Sequence, residues 1–418
     1  MNTRKSFISL IVFLLANLSL NAQVAETPAP EYIKTIAFKS NSTESRLPIL
    51  KLGEPLLLEF DALVGTEPDF YYMIEHFNYD WTPSNLVKSE YLRGFDNQRI
   101  QDYKNSFNTY QIYSHYMLQI PNQQTKGLLV TGNYLLSIFN DDGELVFSRK
   151  FMVYEDLVVV GVAVKRSKDV KFIDKKQSVD IVINNNNFNF NNPLENVKSL
   201  IIQNNNLNTA IYNVKPQYTL GNQLIYKYVN ETSFWGGNEY LYFETKDVRA
   251  ANVGVQFIDL QDIYHNFLFI NTPRFDQLYT YNPDINGNFL ITGVDAQDVA
   301  IEADYTMIHF GLQLPLLPEG QRIFVYGNFN NYALQQENEL HFDPAEGLYL
   351  VAFPLKQGFY NYKYVITDAN GNLDEGAISG NFYQTENNYK VLVYYRDLGA
   401  RYDRLIGMGE ASSVNITN

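Results

Sequence analysis

Five histidines, at positions 76, 115, 265, 309 and 341, are the residues best suited to acid–base or metal chemistry in a chain that has no cysteine. None falls at the i, i+4 or H-x-H spacing that places two imidazoles on one metal, and the thiolates of a structural zinc site are missing. The G-x-S-x-G elbow, the H-E-x-x-H helix and the Walker loop are also absent, which removes the local signatures of serine hydrolases, zinc peptidases and P-loop NTPases. The sequence therefore assigns no catalytic residue, no metal ligand and no cofactor, and predicts a protein that is not an enzyme. A pair of carboxylates assembled in space has no fixed spacing, so a carboxylate-dependent glycoside hydrolase stands as a distant alternative.

The densest polar cluster is "YYMIEHFNYDW", residues 71–81. On a continuous strand, His76, Asn78 and Asp80 would share one face and Phe77, Tyr79 and Trp81 the other, because alternate side chains point oppositely. Chemistry would make His76 and Asp80 an acid–base couple. The pattern instead favours a wetted polar face above an aromatic core face.

The elements around these residues are short and alternating, and capped amphipathic stretches of helical length are hard to find, so the chain reads as nearly all β. In "GEPLLLEFDA", Leu56, Leu58 and Phe60 fall on one face. "GNYLLSIFNDDGELVFSRKFMVYED" reads as two strands joined at Asp142-Gly143. The Asn-rich "VINNNNFNFNNPLENVKSLIIQNNNLNTA" is framed by Ile181, Ile183, Leu200 and Ile202, which predicts asparagine-rich loops between ordinary strands. In "EADYTMIHFGLQLPLL", Ile308, Phe310, Leu312 and Leu314 line one face of a half-buried strand. Three consecutive immunoglobulin-like β-sandwiches account for the chain. The expected boundaries are 23–155, 156–297 and 298–418, with "NYKVLVYYRD" as the edge or closing strand of the last.

Residues 1–22 place Arg4 and Lys5 before an apolar run too short to span a bilayer and predict a secretory signal peptide, hence a periplasmic or extracellular protein. The net charge of −14 argues against a nucleic-acid surface, which needs a basic footprint. Without cysteine, stability in an oxidising compartment must come from cores. The tail "YYRDLGARYDRLIGMG" interleaves Tyr394, Tyr395 and Tyr402 with Arg396, Arg401 and Arg404, residue types favoured at interface centres, and is the candidate partner surface. Its competing reading ties the arginines to Asp397 and Asp403.

"VYGNFNNY", "GLYLVAFPLKQGFYNYKYV" and "TENNYKVLVYY" resemble glycogen- and starch-binding modules. That resemblance implies a glycan site with Tyr332 in place of the first tryptophan platform, Lys363 as the lysine and Asn387 or Asn388 as the asparagine, while "DANGNLDEG" lacks the second platform. A periplasmic carbohydrate-binding protein is the alternative it supports. Across all three segments, the chain is more specifically similar to the plug protein family of the type IX secretion system. The blocks that carry this are "YMIEHFNYDWTPSNLVKSEYLRGFDNQRIQDYKNSFNTYQIYSHYMLQIPN", "SFWGGNEYLYFETKDV" and "GNFYQTENNYKVLVYYRDLGARYDRLIG". The resemblance implies a periplasmic subunit that docks on the periplasmic mouth of the outer-membrane translocon barrel and closes it when no substrate is in transit, without inserting into the membrane.

Overall fold

The structure is a computed structural model that describes residues 23–40, 47–185, 188–414 and 416; the expected signal peptide lies outside them. Strand accounts for 47% and helix for 5%, so the all-β expectation holds.

The first unit sets two sheets face to face. One orders the strands Ile33–Lys39, Leu56–Ala62, Ser114–Ile120 and Asp102–Asn105. The other orders Ile49–Lys51, Leu145–Tyr154, Gly132–Phe139, Tyr71–Phe77 and Gln98–Arg99. Alternation sends Leu56, Leu58 and Phe60 inward as expected, against Tyr72, Ile74, Tyr134 and Phe147 of the facing sheet. Phe60 stacks on Tyr116 with ring centroids 5.2 Å apart and meets Phe147 edge-on. The Asp142-Gly143 turn is present, with Gly143 in the left-handed region that its Cα tolerates.

In the middle unit, Val159–Arg166, Lys176–Asn184, Gln223–Tyr226 and Tyr218–Leu220 form one sheet, with Ser233–Trp235 also paired to Lys176–Asn184. Its asparagine-rich connections lie between strands, and Asn192, Asn204 and Asn205 take the positive φ that asparagine tolerates. The second sheet orders Asn206–Val214, Val197–Gln203, Asn388–Tyr395 and Arg404–Ser412.

This last pairing corrects the serial arrangement. The strand expected to close the third domain instead lies antiparallel to Val197–Gln203, with Leu200 opposite Leu392. The sheet path from Leu241–Glu244 to Val255–Leu260, which includes Arg322–Tyr326, Leu348–Lys356 and Gly358–Thr367, is thus an insertion within the middle unit. It begins near Leu241, earlier than the expected 298. The physical reason is burial on both faces. Tyr389, Val391, Val393 and Tyr395 fill the core of the middle unit, while Leu392 and Tyr394 pack with Phe77, Trp81, Leu135 and Met152 of the first. Such a strand reads as an unbroken apolar run that does not identify its sheet.

The chain leaves and re-enters the middle unit at one place. Phe382 N–H donates to Gly237 O at 2.8 Å and Asn387 Nδ2 to Gly236 O at 2.8 Å. A Cβ on Gly236 would lie 2.1 Å from Phe382 O, so only glycine lets the two crossings touch.

Truncation after Glu386 is expected to abolish amide protection in Lys176–Asn184 and Val197–Gln203 while Arg322–Tyr326 and Gly358–Thr367 keep theirs, as read by hydrogen exchange. The reverse pattern would restore the serial arrangement.

Candidate functional site

The histidine cluster is not an acid–base site. The strand ends at Phe77, and Asp80 turns back to accept from Thr82 N–H at 3.1 Å and Thr82 Oγ1 at 2.7 Å. His76 is 4% exposed, not wetted as its strand position suggested. Its ring sits among Tyr91, Tyr134 and Tyr402, with Nε2 3.1 Å from Thr131 O and Nδ1 without a partner. Burial pushes it down to about 4, against the opposing pull of the Thr131 carbonyl. His265 and His309, scattered in sequence, do meet, Nδ1 to Nε2 at 2.9 Å. No group of three or more metal-ligating residues is found among the described residues.

Sequence reasoning missed the most charged buried cluster. Asp61 is the penultimate residue of the strand Leu56–Ala62, directly opposite His115 on its neighbour, and the His115 ring nitrogen is 2.7 Å from Asp61 Oδ1. Asp61 Oδ2 accepts from Tyr305 Oη and Lys356 Nζ, each at 2.7 Å, and both donors belong to the inserted unit. Lys356 also donates to Ala300 O at 2.7 Å and lies over the Tyr113 ring. Burial would raise the Asp61 carboxyl, but Lys356 and His115 together hold it below its usual range. Burial pushes the Lys356 ammonium down, with Asp61 opposing. A lysine, an aspartate, a histidine and a tyrosine have the composition of a catalytic site. Their exposure decides otherwise: Asp61 and Tyr305 are 0% and Lys356 1% exposed, so no substrate reaches them. They form a lock between the first and inserted units. An aspartate at a strand end reads locally as a solvated residue, and its partners lie 54 to 295 residues away.

The tail residues form a second junction. Tyr394 and Tyr395 are 0% and 2% exposed, which corrects their reading as partner contacts. Tyr394 donates to Asn133 Oδ1 at 2.6 Å across to the first unit. Arg396 spans Asn78 Oδ1 at 2.6 Å and Asp403 at 3.0 Å, which realises one of the two aspartate ties. Arg401 pairs with Glu90, Arg404 with Glu155 at 2.9 Å, and Tyr402 lies edge-on to His76. The interface chemistry is there, and its partner is the chain's own first unit.

Tyr332, Lys363 and Asn388 reach a third junction, between the middle and inserted units. Tyr332 donates to Asn204 O at 3.2 Å, and Asn204 Oδ1 accepts from Asn388 N–H at 2.8 Å. Lys363 pairs with Glu375. Stacking a sugar needs an open ring face, and Tyr332 at 3% exposure offers none.

Fold and junctions together define an all-β body whose units are tied by buried polar contacts. The family description "Type 9 secretion system plug protein 1st domain" matches residues 33–155. Residues 33–155 therefore carry the first domain of the type IX secretion system plug protein family. It is similar, at 32% identity and a TM-score of 0.89 over 94% of this chain and 100% of the other, to a hypothetical protein from Parabacteroides merdae ATCC 43184 seen in a crystal structure. A second likeness, to trypsin-activated alpha-2-macroglobulin from Escherichia coli, has 9% identity over 94% of this chain and 29% of that one at a TM-score of 0.18, and carries no argument. No curated protein matches. No catalytic family is indicated, and the family places the protein with the secretion machinery of the cell envelope.

Two outcomes are expected. Lys356→Met leaves Asp61 buried without its countercharge and should lower unfolding stability by about 3 to 5 kcal/mol, with a substantial part recovered in Asp61→Asn/Lys356→Met; denaturant titration checks both. His76 is depressed from 6.5 to about 4, so its contribution is whole above pH 6.5 and lost as pH falls towards 4. That loss should reach about 3 kcal/mol and be missing in His76→Gln, compared by unfolding at pH 7 and pH 4.

Proposed function

We propose that the protein is a periplasmic stopper that docks on the periplasmic mouth of the type IX translocon barrel and seals it between substrates. The observation that carries this, beside the plug-family first domain, is the buried lock of Asp61, Lys356, Tyr305 and His115. Units joined by a linker move relative to one another by default. Here an ion pair with almost no exposure, an apolar seam through Tyr394 and Leu392, and the paired crossings at Gly236 and Gly237 hold three units as one piece. Closing a pore wide enough for folded proteins calls for a broad, stiff, chemically inert body, and three units of roughly 13 Å radius of gyration per 100 residues supply the breadth. No helix among the described residues is long and apolar enough to cross a membrane. Glycan binding has no supporting geometry, since its platform ring is buried.

Tagged protein is expected to pull down a large outer-membrane barrel from detergent extracts, and its deletion to sensitise cells to antibiotics too bulky for ordinary outer-membrane pores. A barrel that never copurifies, together with unchanged permeability, would sink the proposal.

A further inference from the structure

A cavity of about 580 Å³ opens where the first, middle and inserted units meet. That volume lies within the roughly 300 to 1,000 Å³ of ordinary small-molecule sites. Its lining includes the apolar Leu207, Phe289, Phe329, Phe353 and Leu373 and the cationic residues Arg149 and Lys150.

Arg149 is the unusual member. It is 8% exposed, yet it donates to the adjacent Ser148 carbonyl at 2.9 Å rather than to an acid. Among the described residues no carboxylate lies within ion-pair distance of it. Glu26 is the acid whose field reaches both Arg149 and Lys150. Its oxygens are already engaged, Oε1 by Lys150 N–H at 2.5 Å and Oε2 by Asn331 Nδ2 at 2.7 Å. The other lysine and glutamate on the wall, Lys34 and Glu337, neutralise each other. Lys150 Nζ lies over the Trp81 ring at 4.3 Å, on the other face of the strand, so Arg149 is left facing one occupied carboxylate in a chain of net charge −14. A buried guanidinium has five donors to satisfy and is costly to leave unpaired. The Phe147 ring under it, at 5.4 Å, satisfies none of the in-plane donors.

We propose that this cavity binds a small anionic amphiphile, a carboxylate with an unbranched apolar body, whose head group pairs with Arg149 and whose body lies along Leu207, Phe329 and Leu373. Guanidinium and carboxylate match as a two-point fork, and the aromatic and leucine wall offers an alkyl chain the contacts it loses in water. Burial lowers the Arg149 guanidinium, the direction that a paired anion would reverse.

Calorimetric titration of the full mature chain with dodecanoate, below its micellar range, is the test. Saturable one-to-one binding is expected, weakened about tenfold or more both in Arg149→Gln and when dodecanol replaces the acid. Leu207→Trp, which narrows the cavity without touching Arg149, should also weaken binding, so the proposal stays testable if Arg149→Gln fails to fold. A short peptide with a free carboxylate after apolar residues forms the parallel arm. Binding of that peptide alone would overturn the acyl assignment, and dodecanoate binding that is absent, non-saturable or indifferent to both substitutions would overturn the site.

Discussion

Two of the three junctions, first–middle and middle–inserted, trace back to the strand Asn388–Tyr395. One face supplies Tyr389, Val391, Val393 and Tyr395 to the core of the middle unit, and the other supplies Leu392 and Tyr394 to the seam against the first. Asn387, just before it on the returning crossing, donates to Gly236 O on the outgoing one and to Gln177 Oε1 in the other sheet of the middle unit. Each fully buried Leu, Ile or Tyr of that seam contributes on the order of 1.5 to 3 kcal/mol as an upper estimate. The seam is therefore comparable to a small domain core, and the units cannot part without exposing it.

Polar contacts play a different part from the apolar seam. A buried ion pair such as Asp61 with Lys356 gains little net stability, because desolvating both charges offsets most of their attraction. What it fixes is geometry. Asp61 Oδ2 is satisfied only if Lys356 and Tyr305 arrive at one relative placement of the first and inserted units, and any other placement strands a charge in a dry site. The seam thus holds the units together, and the lock sets their angle.

How much of this was legible follows from range. Leu56, Leu58 and Phe60 announce their face because alternation is local, and Ile308, Phe310 and Leu312 do the same. The tail's tyrosines and arginines also signalled interface chemistry, although nothing in "YYRDLGARYDRL" says that the partner is Asn78, Glu90 and Glu155 of the same chain. His76 shows the opposite failure. It reads with Asn78 and Asp80 as a wetted face, yet it shares the inward face of Tyr72 and Ile74, and its ring is enclosed by Tyr91, Tyr134 and Tyr402, the last from more than 300 residues away. Asp61 and Arg149 left no local trace, since a lone charge in a strand looks solvated until its distant neighbours are known.

The relation between lock and seam bears on how a stopper would work. Sealing a wide opening fails if the body flexes, since a gap of a few ångströms admits small solutes, so the relevant quantity is resistance to relative motion rather than total stability. Apolar seams resist separation but tolerate sliding, because dispersion and hydrophobic contacts are non-directional. Charge-assisted hydrogen bonds are short and directional, and a displacement of about 1 Å already takes a 2.7 Å contact beyond good geometry. Placing such bonds at the first–inserted junction, where Lys356 and Tyr305 converge on Asp61, blocks the sliding that the seam alone would allow. On that argument the charged cluster that resembles a catalytic site in composition contributes stiffness, and its burial is the condition under which it can.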